Sequence, residues 1–233
     1  MSRSGPHSRM LRPAGDASHP EPARGAVTIS PMPTPPIPIS ASVRHVHLCR
    51  EHVEALFGAG HELRVKAELS QPGQFACEET VTLVGPKKSI PNVRVLGPVR
   101  SETQVEVSRT DEIALGIDAP IRASGDLRDT PGLELLGPEG RVELSRGVIQ
   151  AQRHIHMSPG DAAAFGVKDR DWVMVRVGGE RGIIYDDVLV RVHPDFRLDM
   201  HLDTDEANAA DLQPTTTGTI LTGPTVVQPE PDD

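Results

Sequence analysis

Two tetrapeptides far apart in the chain share one pattern: Arg44-His45-Val46-His47 and Arg153-His154-Ile155-His156. In an extended strand residues i and i+2 project to one face, so each copy aims two imidazoles at a common point while the residue between them turns away. Imidazole is the commonest side-chain metal ligand, and a strand-borne pair is the natural beginning of a metal site. Each copy also leads through an apolar and a small residue into a short helical pattern. A fold built on such a repeat must give two strand ends the same surroundings, and the sequence predicts a metalloprotein.

The 233 residues allow one large domain or two small ones with a real core. Aromatic residues make up only 3%, so that core has to be aliphatic. A formal charge of -9 argues against a nucleic-acid or membrane-surface protein, because both polyanions would be repelled. A small anionic ligand remains compatible with it wherever arginines cluster. Cys49 and Cys77 are too few for a disulfide framework and agree with a reducing cytosol. No apolar run approaches the ~20 residues that span a bilayer. Residues 1–40, ending in PMPTPPIPIS, are expected to form a flexible or polyproline leader without a secretory h-region, and residues 213–233 a flexible tail.

Between these limits, β-type runs alternate with hairpin signals in VTLVGPKKS, LELLGPEGRVELS and WVMVRVGGERGIIYDDVLVRV. Helical patterns are brief: 50–58, 110–116 and 158–166, each ending at a glycine. Superposing Gly116 on Gly166 places Ser108 on Ser158, two N-caps with an aspartate three residues on, and Glu106 on His156. The first copy then places Cys49 at the cap and His47 beside Glu106 and His156. The repeating unit is a strand ending in a ligand-type side chain, a short helix and a glycine.

The blocks RHVHLCREHVEALFG, ELSQPGQFACEETVTLVGPK, VRVLGPVRSETQVEVSRTDEIALGIDAP, AQRHIHMSPGDAAAFGVKD and DMHLDTDEANAA resemble the phosphate propanoyltransferases of the PduL type. These are phosphotransacylases of bacterial propanediol utilisation and related microcompartments. The resemblance runs nearly continuously over residues 40–212. It implies a mainly β fold of two small antiparallel β-barrels with short helical caps, the first from 41–43 plus 152–212, the second from 44–151, and a two-zinc active site between them. It also implies coenzyme A, acyl-CoA, acyl phosphate and inorganic phosphate as reactants and a homo-oligomer. The location implied is cytoplasmic, or within a microcompartment with shell proteins as partners. Residues 1–40 show no clear amphipathic targeting helix, which leaves the cargo status open.

Phosphate exchange on a thioester needs an oriented phosphate and a stabilised oxyanion, tasks that two divalent cations perform without a protein nucleophile. His45, His47, Glu106, His154, His156 and His201 supply six ligands for two zinc ions per chain, a donor set that Mn, Fe or Co would also accept. His201 could instead merely precede a helix capped by Thr204. Arg100 is the first candidate for phosphate, with Arg109 beside it and Arg44 and Arg153 weaker. The mechanism expected is direct attack of metal-bound phosphate on the thioester, with Arg100 at the oxyanion and coenzyme A thiolate departing. An acyl-cysteine route through Cys77 lacks an adjacent base. His7, His19, His52, His61 and His193 read as surface residues.

Two rival readings remain. A cupin-type oxygenase or isomerase would use His45, His47, Glu51 and Gly58 in HxHx3Ex6G spacing, but Glu51 falls in a helical pattern. A non-catalytic barrel would hold one closed four-ligand metal site.

Overall fold

The β-branched runs and their Gly-Pro and Gly-Gly turns fold into strands, and the computed structural model describes residues 30–31 and 35–222. In chain order the strands begin β1 (Ser30–Pro31), β2 (Ile37–Ser42), β3 (His45–His47), β4 (Val65–Glu68), β5 (Phe75–Val84), β6 (Ser89–Gly97), β7 (Gln104–Glu106) and β8 (Ile121–Arg122). They continue with β9 (Glu134–Leu136), β10 (Arg141–Glu143), β11 (Val148–Ala151), β12 (His154–Met157), β13 (Trp172–Val177), β14 (Ile183–Val192), β15 (Asp199–Asp203) and β16 (Thr217–Thr222). The helices among the described residues are α1 (Arg50–Phe57), α2 (Arg109–Leu115), α3 (Pro159–Phe165) and α4 (Thr204–Ala209).

One sheet has the order β1-β16-β13-β14-β12-β15-β2, and pairing of β2 with β16 closes six of its strands into a barrel. The other runs β10-β9-β5-β6-β3-β7-β11-β8, with β4 on β5, and curls into a half-barrel. The mainly β architecture with helical caps is as expected. Both sheets are mixed in direction: β12 is parallel to β14, β15 to β2, β3 to β6, and β11 to β7 and β8. The connections between such partners carry helices or hairpins, the length that parallel pairing requires.

The two sheets repeat one another strand for strand. In β3–β7, His45 faces Glu106 and Val46 faces Val105; in β12–β15, His154 faces His201 and Ile155 faces Met200. The far side of β3 carries β6 in parallel, as β12 carries β14, and β11 flanks β7 as β2 flanks β15. Each sheet surrounds its own aliphatic core. Val46, Leu48, Leu83, Leu115 and Leu135 fill the half-barrel, and Ile37, Ile155, Met157, Val190 and Met200 fill the barrel.

Helix ends are fixed by side chains the sequence places there. Ser108, Ser158 and Asp203 each close a capping box, with Asp111, Asp161 and Glu206 respectively. Asp203, and not Thr204, is therefore the cap of α4, where Glu206 answers it from the third helical position. The Gly-Pro hairpin turns close the C-terminal ends of two helices. Lys87 N–H donates to the Leu115 carbonyl at 2.9 Å and Glu139 N–H to the Leu56 carbonyl at 3.1 Å, which satisfies carbonyls left open at the ends of α2 and α1.

The expected leader and tail boundaries need correction. Residues 37–40 belong to β2, where Ile37 and Ile39 are buried and Pro38 is exposed, so the PIPIS run alternates as a strand and not as polyproline. Pro38 stands near the strand's start, where a missing N–H costs least. The threonine run after Pro214 enters β16, which buries Ile220 and Leu221 and closes the barrel; threonine is a good strand former. The barrel thus takes more of both termini than 41–43 and 152–212. Most of the expected leader, with His7 and His19, and the last part of the tail lie outside the described residues.

The Gly-Pro turns sit so close to the helices that a side chain does not fit. A Cβ at Gly85 would lie 2.4 Å from the Leu115 carbonyl oxygen, and one at Gly137 2.4 Å from that of Leu56. Gly85→Ala and Gly137→Ala are expected to lower unfolding free energy by about 1–3 kcal/mol each. Gly160→Ala, on an open face of α3, is expected to raise it by about 0.5–1 kcal/mol. Urea unfolding of the three variants checks the opposite signs.

Candidate active site

Each half of the fold presents three donor side chains at the ends of two neighbouring strands. His45 and His47 on β3 meet Glu106 on β7, and His154 and His156 on β12 meet His201 on β15. Within each group the donor atoms lie within 4.8 Å of one another. All six residues line one cavity of about 600 Å3, together with Arg100, Ser124 and Arg191. The repeat found in the sequence is half of the pattern. His47, Glu106, His156 and His201 each stand two residues before the N-cap of a following helix, and the counterpart of Glu106 in the other half is His201.

The hydrogen bonds suit metal coordination. His45 Nδ1 lies 2.9 Å from the Val43 carbonyl and His154 Nδ1 lies 2.7 Å from that of Gln152, equivalent bonds in the two halves. Donating Nδ1–H to the backbone leaves each Nε2 lone pair for a ligand, the usual supporting arrangement of a metal-bound histidine. His154 Nε2 and His156 Nε2 are only 2.7 Å apart. The Nε2 atoms of His47 and His156 face the clusters, 4.0 Å from Glu106 Oε1 and 2.7 Å from His154 Nε2, while the Nδ1 atoms of both rings are buried with no hydrogen-bond partner, a costly state.

The third donors are steadied from two residues upstream. Gln104 Nε2 donates to Glu106 Oε1 at 2.6 Å, and Asp199 Oδ2 accepts from His201 Nε2 at 3.1 Å. The chemistry inverts with the donor: an amide holds the carboxylate, and a carboxylate holds the imidazole. Gln104 Nε2 also donates to Ser124 Oγ, and its Oε1 accepts from Gly125 N–H. Arg100 Nη1 donates to the same Ser124 oxygen at 3.1 Å. With both acceptor positions of Ser124 taken, its own O–H is left to donate elsewhere.

Burial sets the protonation states. It pushes His47 down to about 3, His154 to about 4 and His156 to about 2, reinforced for each by a neighbouring imidazole. These rings are neutral near pH 7, the form that binds metal. Burial also opposes ionisation of Glu106, but His45, His47 and Arg100 outweigh it and hold the carboxyl well below its usual range. Burial likewise lowers His45, but the Glu106 charge beside it prevails and raises it. Arg100 and Arg191 are both lowered, first by burial, with Glu106 opposing.

Sequence reasoning missed four of these residues, Arg191, Ser124, Gln104 and Asp199. Arg191 faces His156 in the β12–β14 register and lies over the Phe196 ring at 5.8 Å, a position no motif in VLVRVH announces. Ser124 comes from a loop. Gln104 was readable, since it precedes Glu106 by two on the same strand face.

Most other candidates fall elsewhere. Arg109 does not reach the cavity; from the first turn of α2 its guanidinium pairs with Glu112 and Asp118, correcting its expected place at phosphate. Arg44 does line the cavity and Arg153 does not, but each is held at 2.7 Å by a carboxylate, Asp111 and Glu206 respectively. Cys77 is buried in the half-barrel core, and burial pushes its thiol up to about 11. Glu51 is exposed on α1, which removes the cupin pattern. His52, His61 and His193 do not line the cavity. No helix among the described residues is long and apolar enough to cross a membrane.

A family model described as phosphate propanoyltransferase matches residues 38–213. A phosphate propanoyltransferase of Thermotoga maritima is 60% identical over 179 residues, 76% of this chain and 85% of that protein. The one from Listeria monocytogenes is 52% identical over 185 residues, covering 79% and 87%, and the one from Salmonella typhimurium 56% over 176 residues, covering 75% and 83%.

Lowered imidazoles make the metal-free chain acid-sensitive. Where a folded-state pKa lies below the unfolded value, stability is complete above the unfolded value and is lost as pH falls toward the folded one. For His47, His154 and His156 that window opens near 6.5 and closes between about 4 and 2, and three lowered rings outweigh the raised His45. In the presence of chelator, the urea midpoint is expected to fall between pH 7 and pH 5, and to fall less in His156→Phe.

Proposed function

Because this chain belongs to the phosphate propanoyltransferase family, we propose that its cavity exchanges phosphate for coenzyme A on a short acyl thioester by direct transfer. The family makes the chain an acyltransferase acting on acyl-CoA and phosphate. The observation that carries the finer reading is the convergence of two matching donor triads and two half-buried arginines on one cavity.

His45, His47 and Glu106 would hold one divalent cation and His154, His156 and His201 a second, with zinc suited to this imidazole and carboxylate set. Such ions supply Lewis-acid charge neutralisation for phosphate and for a developing oxyanion. The chain's own groups set the geometry. Arg100 offers a planar fork for two phosphate oxygens, and Arg191 adds a second positive charge from the opposite sheet. Their partial burial strengthens both, because bulk water screens them less than at the open surface. Ser124 O–H, freed by its two incoming hydrogen bonds, donates to the oxyanion or to phosphate.

In the forward direction a phosphate oxygen bonds to the acyl carbon, the C–S bond breaks, and coenzyme A leaves as a thiolate that takes up a proton. Acyl-CoA and phosphate thus become acyl phosphate and coenzyme A, and the reverse uses the same contacts. No protein nucleophile is needed, in keeping with Cys77 in the core. The propanoyl group in the relatives' names is the acyl group we assign. Assembly as a homo-oligomer belongs to this reading through the family, and the location it implies is the cytoplasm or a microcompartment with shell proteins as partners.

Thiol release from propanoyl-CoA is expected to depend on phosphate. Arg100→Gln is expected to cut turnover by about 10²–10³-fold, the typical loss of a transition-state donor. His154→Ala is expected to abolish turnover and lower metal content in the same preparation. Full activity in a metal-free sample would overturn the proposal.

A further inference from the structure

Beyond the donors themselves, the arginines preceding each histidine doublet also repeat. Arg44 Nε meets Asp111 Oδ1 at 2.7 Å, and Arg153 Nη1 meets Glu206 Oε1 at 2.7 Å. Both carboxylates occupy the third position of the helix that follows the third donor of their own half. Each also closes a capping box: Ser108 N–H donates to Asp111 Oδ2 at 3.2 Å, and Asp203 N–H donates to Glu206 Oε2 at 3.1 Å. The capped residue stands two positions beyond Glu106 in one half and beyond His201 in the other.

A continuous polar chain therefore runs from arginine to carboxylate to N-cap backbone. It ties the strand that carries two imidazoles to the strand that carries the third donor. The arginines' side chains are 36% and 29% exposed while Asp111 is only 4% exposed, so these pairs are not freely solvated surface pairs. The halves touch at equivalent positions, where Thr110 N–H in the first turn of α2 donates to Asp205 in the first turn of α4 at 2.8 Å. Each lock nevertheless spans only the strands of its own triad.

We infer that Arg44 and Arg153 are positioning residues, Arg44 for the triad His45, His47 and Glu106, and Arg153 for the triad His154, His156 and His201. The inference rests on the metal reading above and deepens it. Each lock sets the affinity of its own triad independently of the other.

Co(II) binding by the full chain, followed by its visible absorption during chelator competition, tests this in single-site backgrounds. In His156→Ala, which leaves the first triad intact, adding Arg44→Met is expected to weaken the remaining Co(II) about tenfold or more and to shift its spectrum. Adding Arg153→Met there changes affinity less than about twofold, by the same reasoning. In His47→Ala the two effects exchange. Arg44→Lys restores part of the loss. Asp111→Asn cuts the same link without touching the arginine and must show the same selectivity, which covers an Arg44→Met chain that does not fold. Equal weakening of both triads, or a lower melting temperature with Co(II) affinity unchanged, would overturn the inference alone. Failure of the wild-type chain to bind Co(II) would remove the metal reading and the inference with it.

Discussion

Everything at the site depends on two antiparallel strand pairings, β3 against β7 and β12 against β15. Directly opposed residues in an antiparallel pair lie about 4.5–5.5 Å apart, close enough for side chains on one face to share a ligand. The register sets His45 against Glu106 and His154 against His201, and the period of two adds His47 and His156 to the same faces. A slip of one residue in either pairing would turn the donors into the core and bring Val46 or Ile155 to the cavity. The buried aliphatic residues between the histidines thus hold the chemistry in place as firmly as any polar contact.

Placing so many polar groups in one cavity is costly, and the fold meets that cost locally. Backbone carbonyls take the Nδ1–H groups of His45 and His154. Gln104 and Asp199 each address the donor two residues along. Glu106 carries negative charge into a site that also half-buries Arg100 and Arg191, and it offsets part of their positive charge before any ligand enters. The Nδ1 atoms of His47 and His156, which keep no partner, are the remaining debt, on the opposite side of each ring from the Nε2 that faces the donor cluster.

Much of this could be read in the chain because it is local. The doublets Arg44–His47 and Arg153–His156, the capping boxes at Ser108 and Ser158 and the Gly-Pro turns are short-range signals, and each appears where its spacing places it. Glu106 was reached through the repeat, although the repeat as read matched it to His156 and missed its partner in the other half, His201, whose helix ends at Ala210 and not at glycine. Arg191 and Ser124 were out of reach because only the pairing of distant strands and the course of a loop bring them to the cavity. The strands at Ile37 and Thr217 were hidden because the prolines beside them drew both segments into the expected leader and tail. Arg109 was misplaced because its neighbours in sequence, Glu112 and Asp118, capture it.

The closure of the barrel by β2 and β16 has a consequence for how the molecule is made. As the polypeptide emerges from the ribosome, β2 leaves early, yet its neighbours β15 and β16 are among the last described segments to appear. The half-barrel strands, β3 to β11, are complete before then and can collapse on their own aliphatic side chains. The early strand must stay unpaired through most of translation, with Ile37 and Ile39 uncovered. Its proline-rich flank, poor in amide hydrogens, makes a weak template for wrong partners during that wait.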